Sequence, residues 1–323
     1  GVCSIFSTAA YMEHLYITEG TISDPDFSEQ FLQWSAKFEV GKFTQTGGSN
    51  AASNIQAIHE FGIPAEEAWP YESSKWTSSN DEACTGEKDQ PTRCYTNGEP
   101  SDEAKAAEKF FLPEGRWHST RTRSMKATMM NKRQAVVVGL TFFYQSWNHR
   151  RSTLPRNTDY WNKGYVLAPN AEDKRISLEK RAGHSILLLG WDDELEVPKR
   201  DEEGKVVTDA EGNTVVEKGF FLFKNSWGTG SFGVDNPAGD GYGWISYDYV
   251  TEYGSGQTSD LPVFEVPEEV CGDGRDNDDN GAIDCDDSAC SNEAACTITS
   301  EVIEVTLGDN VIPDNDLGGL RVP

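Results

Sequence analysis

The chain has 323 residues, and 28 Lys and Arg against 54 Asp and Glu leave a formal net charge of −26. Such a field repels phosphate backbones, which argues against nucleic acid as a partner and leaves most of the carboxylates as a solubilising face. Hydrophobic residues at 37% suffice for a packed core over most of the length, and no run approaches the roughly 18 apolar residues of a membrane helix.

Ile5, Phe6, Ala9, Ala10, Met12, Leu15 and Tyr16 recur at a helical period, so the spacing predicts a helix over 3–20 with Cys3 near its N-terminus. Ser28 is the cap of a second helix that carries Phe31, Leu32 and Trp34. The segment 44–50, TQTGGSN, reads as a loop, and Ala51 to Phe61 as a third helix ended by Gly62. Residues 64–100 are mostly loop by their Pro, Ser, Asn, Asp and Gly content, with a short helix after Ser101. One more helix is predicted over 124–134. Strands follow at 135–143, 164–167, 184–191, 220–225 and 243–247, and 192–218 reads as an exposed hairpin excursion. Helices first and strands afterwards predict an α+β unit of two lobes over 1–252. Composition then marks a linker at 253–270, a Cys/Asp-rich module at 271–296, and a segment 297–323 that begins a β-rich accessory domain or tail with the run Val302 to Leu307.

The seven cysteines fall into Cys3 alone, Cys84 with Cys94, and Cys271, Cys285, Cys290 and Cys296. Six can pair, which leaves Cys3 as a free thiol; three connectivities are open within the last four. Disulfides point to an oxidising compartment outside the cytoplasm. The chain opens at Gly1 without Met, the expectation for a trimmed or a truncated species, with an export signal and a propeptide as candidates for what was lost upstream.

Three segments bear on chemistry. A thiol at a helix start, as in Gly1-Val2-Cys3-Ser4, meets the positive end of the dipole, which favours the attacking thiolate. Read alone, Cys3 is as well a buried structural thiol. His184 opens the apolar run Ser185 to Leu189; a nearby thiolate would offset the cost of burying its charge, and a satisfied core histidine is the other reading. Asn225 ends a strand before Ser226-Trp227-Gly228, where its amide can fix an imidazole tautomer under Trp227, or simply form a turn.

In order, Cys3-Ser4-Ile5-Phe6-Ser7-Thr8, Phe27-Ser28-Glu29-Gln30, Gly47-Gly48, Gly62-Ile63 with Trp69-Pro70-Tyr71, Gly183-His184, Lys224-Asn225-Ser226-Trp227-Gly228 and Gly241-Tyr242-Gly243-Trp244-Ile245 resemble the papain-like cysteine peptidase family. The resemblance covers about residues 1–250 and implies a two-lobe fold, a helical lobe plus a β-barrel-like lobe. It implies Cys3 as nucleophile, His184 as general base and then acid, Asn225 as its orienter, and Gly47, Gly48, Gly183 and Trp227 around the substrate. The reaction implied is peptide hydrolysis through a thioester, without a catalytic cofactor, on a peptide or protein substrate, with an upstream propeptide as candidate inhibitor. The family's second oxyanion donor, a Gln six residues before the nucleophile, falls before Gly1. Ser4 stands where the family has Trp, and Gln45 and Trp34 stand where family disulfides begin. These departures motivate the rival expectation of a non-catalytic peptide-binding or adhesion protein that kept the fold.

Residues 276–287, DNDDNGAIDCDD, place Asp276, Asp278, Asn280, Ala282, Asp284 and Asp287 at positions 1, 3, 5, 7, 9 and 12 of a calcium loop, with Gly281 at the turn. Calcium is therefore expected in a small disulfide-rich module at the C-terminus; a solvated, unliganded loop is the alternative. The module resembles Cys/Asp-rich repeats of exported bacterial proteins, which implies secretion or association with the cell surface.

Overall fold

A computed structural model describes residues 2–86, 89–263, 270–275, 281–291 and 296. The chain divides into two compact units, Gly1–Val263 and Phe264–Pro323.

The first unit begins with three helices. In α1 (Cys3–Glu19) the predicted apolar stripe is buried through Ile5, Ala9, Met12, Leu15 and Tyr16, and Gly20 closes the helix in the left-handed region with its N–H on the Tyr16 carbonyl. Helices α2 (Glu29–Phe38) and α3 (Ala51–Glu60) start at the caps Ser28 and Asn50, whose side chains accept from the N–H of Phe31 and Ser53. Their apolar faces join α1 in one core with Phe27, Phe31, Leu32, Ile55 and Ile58. Each such fully buried side chain contributes about 1.5–3 kcal/mol. The long loop that follows contains a short helix, α4 (Asp102–Ala106), and the Cys84–Cys94 disulfide.

The remaining elements of this unit are β1 (Arg116–His118), α5 (Thr122–Asn131), β2 (Val136–Thr141), α6 (Thr158–Lys163), β3 (Tyr165–Val166), α7 (Ala171–Lys180), β4 (Gly183–Pro198), β5 (Val216–Lys224), β6 (Tyr242–Ser246), α8 (Tyr247–Tyr253) and β7 (Gly254–Thr258). The strands form one sheet in the order β1-β7-β2-β4-β5-β6-β3, antiparallel except for β3 on β6. No ladder joins β1 to β3 among the described residues, so the expected barrel-like lobe is a seven-stranded sheet with two edges. Val136, Val138, Ile186, Leu188, Phe221 and Phe223 form its core with Phe143 and Trp147. Val137 and Leu187, which alternate with them, pack into the helical core instead. The period of two in β2 and β4 thus welds the two lobes together.

Two sequence expectations change here. The excursion 192–218 is continuous with the sheet, because its arms prolong β4 to Pro198 and start β5 at Val216. Residues 254–258, read as the start of a linker, form β7, which pairs with both β1 and β2. Its glycines are there for close approach: a Cβ on Gly256 would lie 2.7 Å from the His118 carbonyl oxygen. No helix among the described residues is long and apolar enough to cross a membrane.

In the second unit, disulfides join Cys271 to Cys290 and Cys285 to Cys296, around short 3-10 turns at Asp284–Asp286 and Ser288–Cys290. The calcium expectation is overturned: among the described residues no group of three or more His, Cys, Asp or Glu could hold a metal ion. Of the ligands expected in that loop, Asp284 instead accepts the N–H groups of Gly272 and Gly274, and Asp287 accepts from Ala289. The carboxylates therefore organise turns between the disulfides. Ala282 contributes to no such cluster, and Asp276, Asp278 and Asn280 lie outside the described residues.

Candidate active site

Cys3 is the first residue of α1, half-buried, and the free cysteine of the chain's described residues. The first N–H groups of a helix have no partner within it, and α1 has no side-chain cap and no acidic residue in its first turn. Positive partial charge at the thiol is thus left unneutralised by its own helix. His184 is the second residue of β4, opposite Leu140 of β2. The two elements are joined one turn further on, where the buried hydroxyls of Ser7 and Ser185 lie 2.7 Å apart. Cys3 and His184 consequently line one cleft of about 450 Å³ with Gly47, Gly48 and Gly183.

The tautomer of His184 follows from its neighbours. Asn225, directly after β5, presents Oδ1 to two donors: the Ser226 N–H at 2.9 Å and His184 Nε2 at 2.9 Å. The backbone donor identifies that atom as the oxygen, so Nε2 must carry the proton. Nδ1 of the neutral ring is then a proton acceptor. Trp227 stacks on the imidazole with centroids 4.9 Å apart, while Trp147 and Phe142 meet it edge-on at 5.1 and 5.8 Å. His184 is 7% exposed. Burial pushes its imidazole down to about 4, against the opposing bond from Asn225. The expected imidazolium therefore requires the Cys3 thiolate as counter-charge; without it the ring is neutral at pH 7.

The glycine loop is held from behind. Lys37 of α2 donates to the Gly48 carbonyl at 2.8 Å, and Ser4 and Ser49 share a hydroxyl contact at 2.7 Å. Asn54 of α3 donates to the Ser4 carbonyl at 2.9 Å. Ser4 thus ties the start of α1 to this loop where the family resemblance would have a disulfide. Trp34, at the other missing disulfide, packs against Phe31 and stacks on Phe38.

The structure brings Cys3, His184, Gly47, Gly48 and Gly183 together around one cleft. Trp227 does not line it; it covers His184 and lines a neighbouring groove. Three participants carried no sequence signal. Lys37 is 1% exposed, in a helix buried on every face from Gln30 to Lys37. Trp147 and His149 sit in the loop after β2; His149 lies 5.7 Å from Trp227, and its imidazole is held down by burial and then by Arg151, Arg150, Arg156 and Lys180.

No family model matches the sequence, and no curated protein does either. Solved structures do. Xylellain, a cysteine protease from Xylella fastidiosa, aligns at 17% identity over 81% of this chain and 80% of its own, with a TM-score of 0.53. The cysteine protease and lectin-like domains of Cwp84, a surface-layer-associated protein of Clostridium difficile, align at 17% identity over 81% of this chain and 48% of that one, with a TM-score of 0.50. At such identities the likeness speaks for architecture alone, and that architecture, two lobes meeting at α1 and β4, is the papain-like cysteine-protease fold; a disulfide-rich segment follows it in the sequence.

Proposed function

We propose that the chain is a cysteine peptidase that hydrolyses peptide bonds with Cys3, His184 and Asn225. The observation that carries this reading is the convergence of a helix-start thiol and a histidine of fixed tautomer on one cleft. His184 Nδ1 takes the thiol proton, and the sulfur attacks the carbonyl carbon of the substrate. The oxyanion forms beside the N–H groups that open α1, where positive partial charge is already oriented. The His184 ring then gives its proton to the departing amine. The thioester left on Cys3 is cleaved by water, which His184 deprotonates, and the thiol is restored. Asn225 holds the ring through both transfers, while Trp227 keeps water from their hydrogen bond.

Gly47, Gly48 and Gly183 border the cleft on the side where the acyl part of a peptide or protein lies against extended backbone. Three disulfides suit an exported location, in the medium or at the cell surface, as does the surface-layer association stated for Cwp84.

The test is hydrolysis of an internally quenched peptide library by the full chain. Cys3→Ala is expected to remove activity by a factor of about 10³ or more, and iodoacetamide at about pH 6 is expected to label Cys3 with parallel loss of activity. Unchanged hydrolysis in the Cys3→Ala chain would overturn the proposal. An unreactive thiol with no hydrolysis would favour the binding-protein reading.

A further inference from the structure

The segment 142–157, between β2 and α6, holds Arg150, Arg151, Arg156 and His149 and no Asp or Glu, in a chain whose carboxylates outnumber its basic residues by 54 to 28. It forms one wall of a groove of about 1120 Å³ that also includes Trp161, Trp227 and Ser231. No carboxylate lines this groove, and Arg150 and Arg156, both exposed, line it. Among the described residues, none of the three arginines is in an ion pair.

The groove lies on a definite side of the chemistry. Trp227 is shared: it stacks on His184 and borders the groove. An acyl group would be held on Cys3, whereas the leaving nitrogen must receive its proton from His184. The chain downstream of the cut therefore departs over the histidine and its tryptophan cover, away from Gly47 and Gly48. We propose that this groove receives the leaving-group side of the substrate and selects peptides with acidic residues directly after the cut, Arg150 and Arg156 supplying the charge. The inference rests on the peptidase reading above.

The overall charge of −26 opposes this selection only at a distance. At physiological ionic strength fields fade over about 8 Å, so steering by the whole molecule is weak beside contact with two unpaired guanidinium groups. The convergence of the cations is felt inside the fold as well: after burial, Arg151, Arg150, Arg156 and Lys180 are what hold the His149 imidazole down.

The test uses three quenched peptides identical upstream of the cut and carrying Glu-Glu, Gln-Gln or Lys-Lys after it. Exposed ion pairs are individually weak, so kcat/KM for the Glu peptide is expected to exceed that for the Gln peptide by roughly fivefold at low salt, and the Lys peptide is expected to be slowest. The preference is expected to vanish at about 1 M salt, where screening acts within about 3 Å, and to reverse in the R150E/R156E chain. Because the ratio is taken within one preparation, a loss of active fraction does not affect it. Equal rates for Glu and Gln peptides, or an unchanged ratio in the charge-reversed chain, would overturn the groove assignment and leave hydrolysis standing. A second arm measures anisotropy of labelled Glu-Glu and Gln-Gln peptides with free amino ends on the Cys3→Ala chain. Tighter binding of the acidic peptide without any cleavage by the wild type would support the groove and remove the hydrolase reading; equal binding would overturn the groove.

Discussion

Asn225 offers its carbonyl oxygen to two donors, while among the described residues its buried amide nitrogen has no hydrogen-bond partner. Only the oxygen holds His184, so an acceptor of the same shape should serve. Asn225→Ala is expected to lower kcat/KM roughly 10- to 100-fold, the range for losing a bond worth about 1.5–3 kcal/mol to a charged partner. Asn225→Asp keeps the acceptor and adds negative charge beside the ring. It is expected to retain more activity than the alanine variant and to move the acid limb of the pH profile upward; an alanine variant equal to the aspartate one would show that Asn225 does not position His184. The ring also couples to stability. Its pKa falls from 6.5 to about 4 on folding through burial, so between those values the unfolded chain binds the proton and the folded chain does not. Stability is then fully present above pH 6.5 and is lost as pH falls towards 4, by about 3 kcal/mol. In the Cys3→Ala chain, which lacks any thiolate, His184→Gln is expected to flatten that slope in denaturant titrations. A slope that stays the same would mean that the ring is charged in the fold.

On α2, a cation at a core position does work that a hydrophobe could not. Lys37 reaches the Gly48 carbonyl from a site 1% exposed, and burial pushes its amine from 10.5 down to about 8. Below pH 8 both states carry the charge; from about 8 to 10.5 the folded amine is neutral while the unfolded one is protonated. Stability contributed at this position therefore rises with pH through that window, by about 3 kcal/mol. The difference in unfolding free energy between wild type and Lys37→Met is expected to shift by that amount between pH 8 and 10.5, in favour of the wild type. A flat difference would place the charge in water instead of the core. The same helix shows what a sequence reveals. Its Ser28 cap and the burial of Phe31 and Leu32 follow from local chemistry, as do the stripe of α1 and the alternation in β2. The candidate Cys3, His184 and Asn225 were legible because each sits at the end of an element, beside a local motif. Lys37, Trp147 and Arg150 were not, because their roles come from chain segments far away in sequence. The acidic loop misled for a related reason: carboxylates spaced to suit a cation also suit backbone donors, Asp284 accepting from Gly272 and Gly274 and Asp287 closing an Asx-type turn on Ala289.

For the molecule as a whole, the question is where the first unit ends. Composition places the boundary at 252, since Gly254-Ser255-Gly256-Gln257-Thr258 has neither apolar alternation nor β-branched content. The structure continues through β7 and beyond. Val137 to Leu140 of β2 pair with Gln257 to Gly254, and β1 pairs along the other edge of the same strand. Ser259, fully buried, donates its N–H to the Tyr11 hydroxyl at 2.7 Å and receives that hydroxyl on its carbonyl, while Asp260 takes a bidentate contact from Arg116. Since Tyr11 lies on α1, the last strand fixes the helix that carries Cys3. Ending the chain after Glu252 would expose the paired edge of β2, detach β1 and leave the Tyr11 hydroxyl buried without its partners, a loss of several bonds each costing about 1–3 kcal/mol when left unmade. Against a typical total of 5–15 kcal/mol, that is enough to unfold the unit. Ending it after Val263 removes none of these contacts. A chain of residues 1–263 is therefore expected to melt within about 3 °C of the full chain, a shift of no more than about 1–2 kcal/mol at this size, and to keep its kcat/KM, whereas 1–252 is expected to be insoluble or to melt without a cooperative transition. Calorimetry on the two truncations decides the matter: a stable, active 1–252 would mean that β7 is an appendage to the sheet and that α1 owes its placement to the helical core alone.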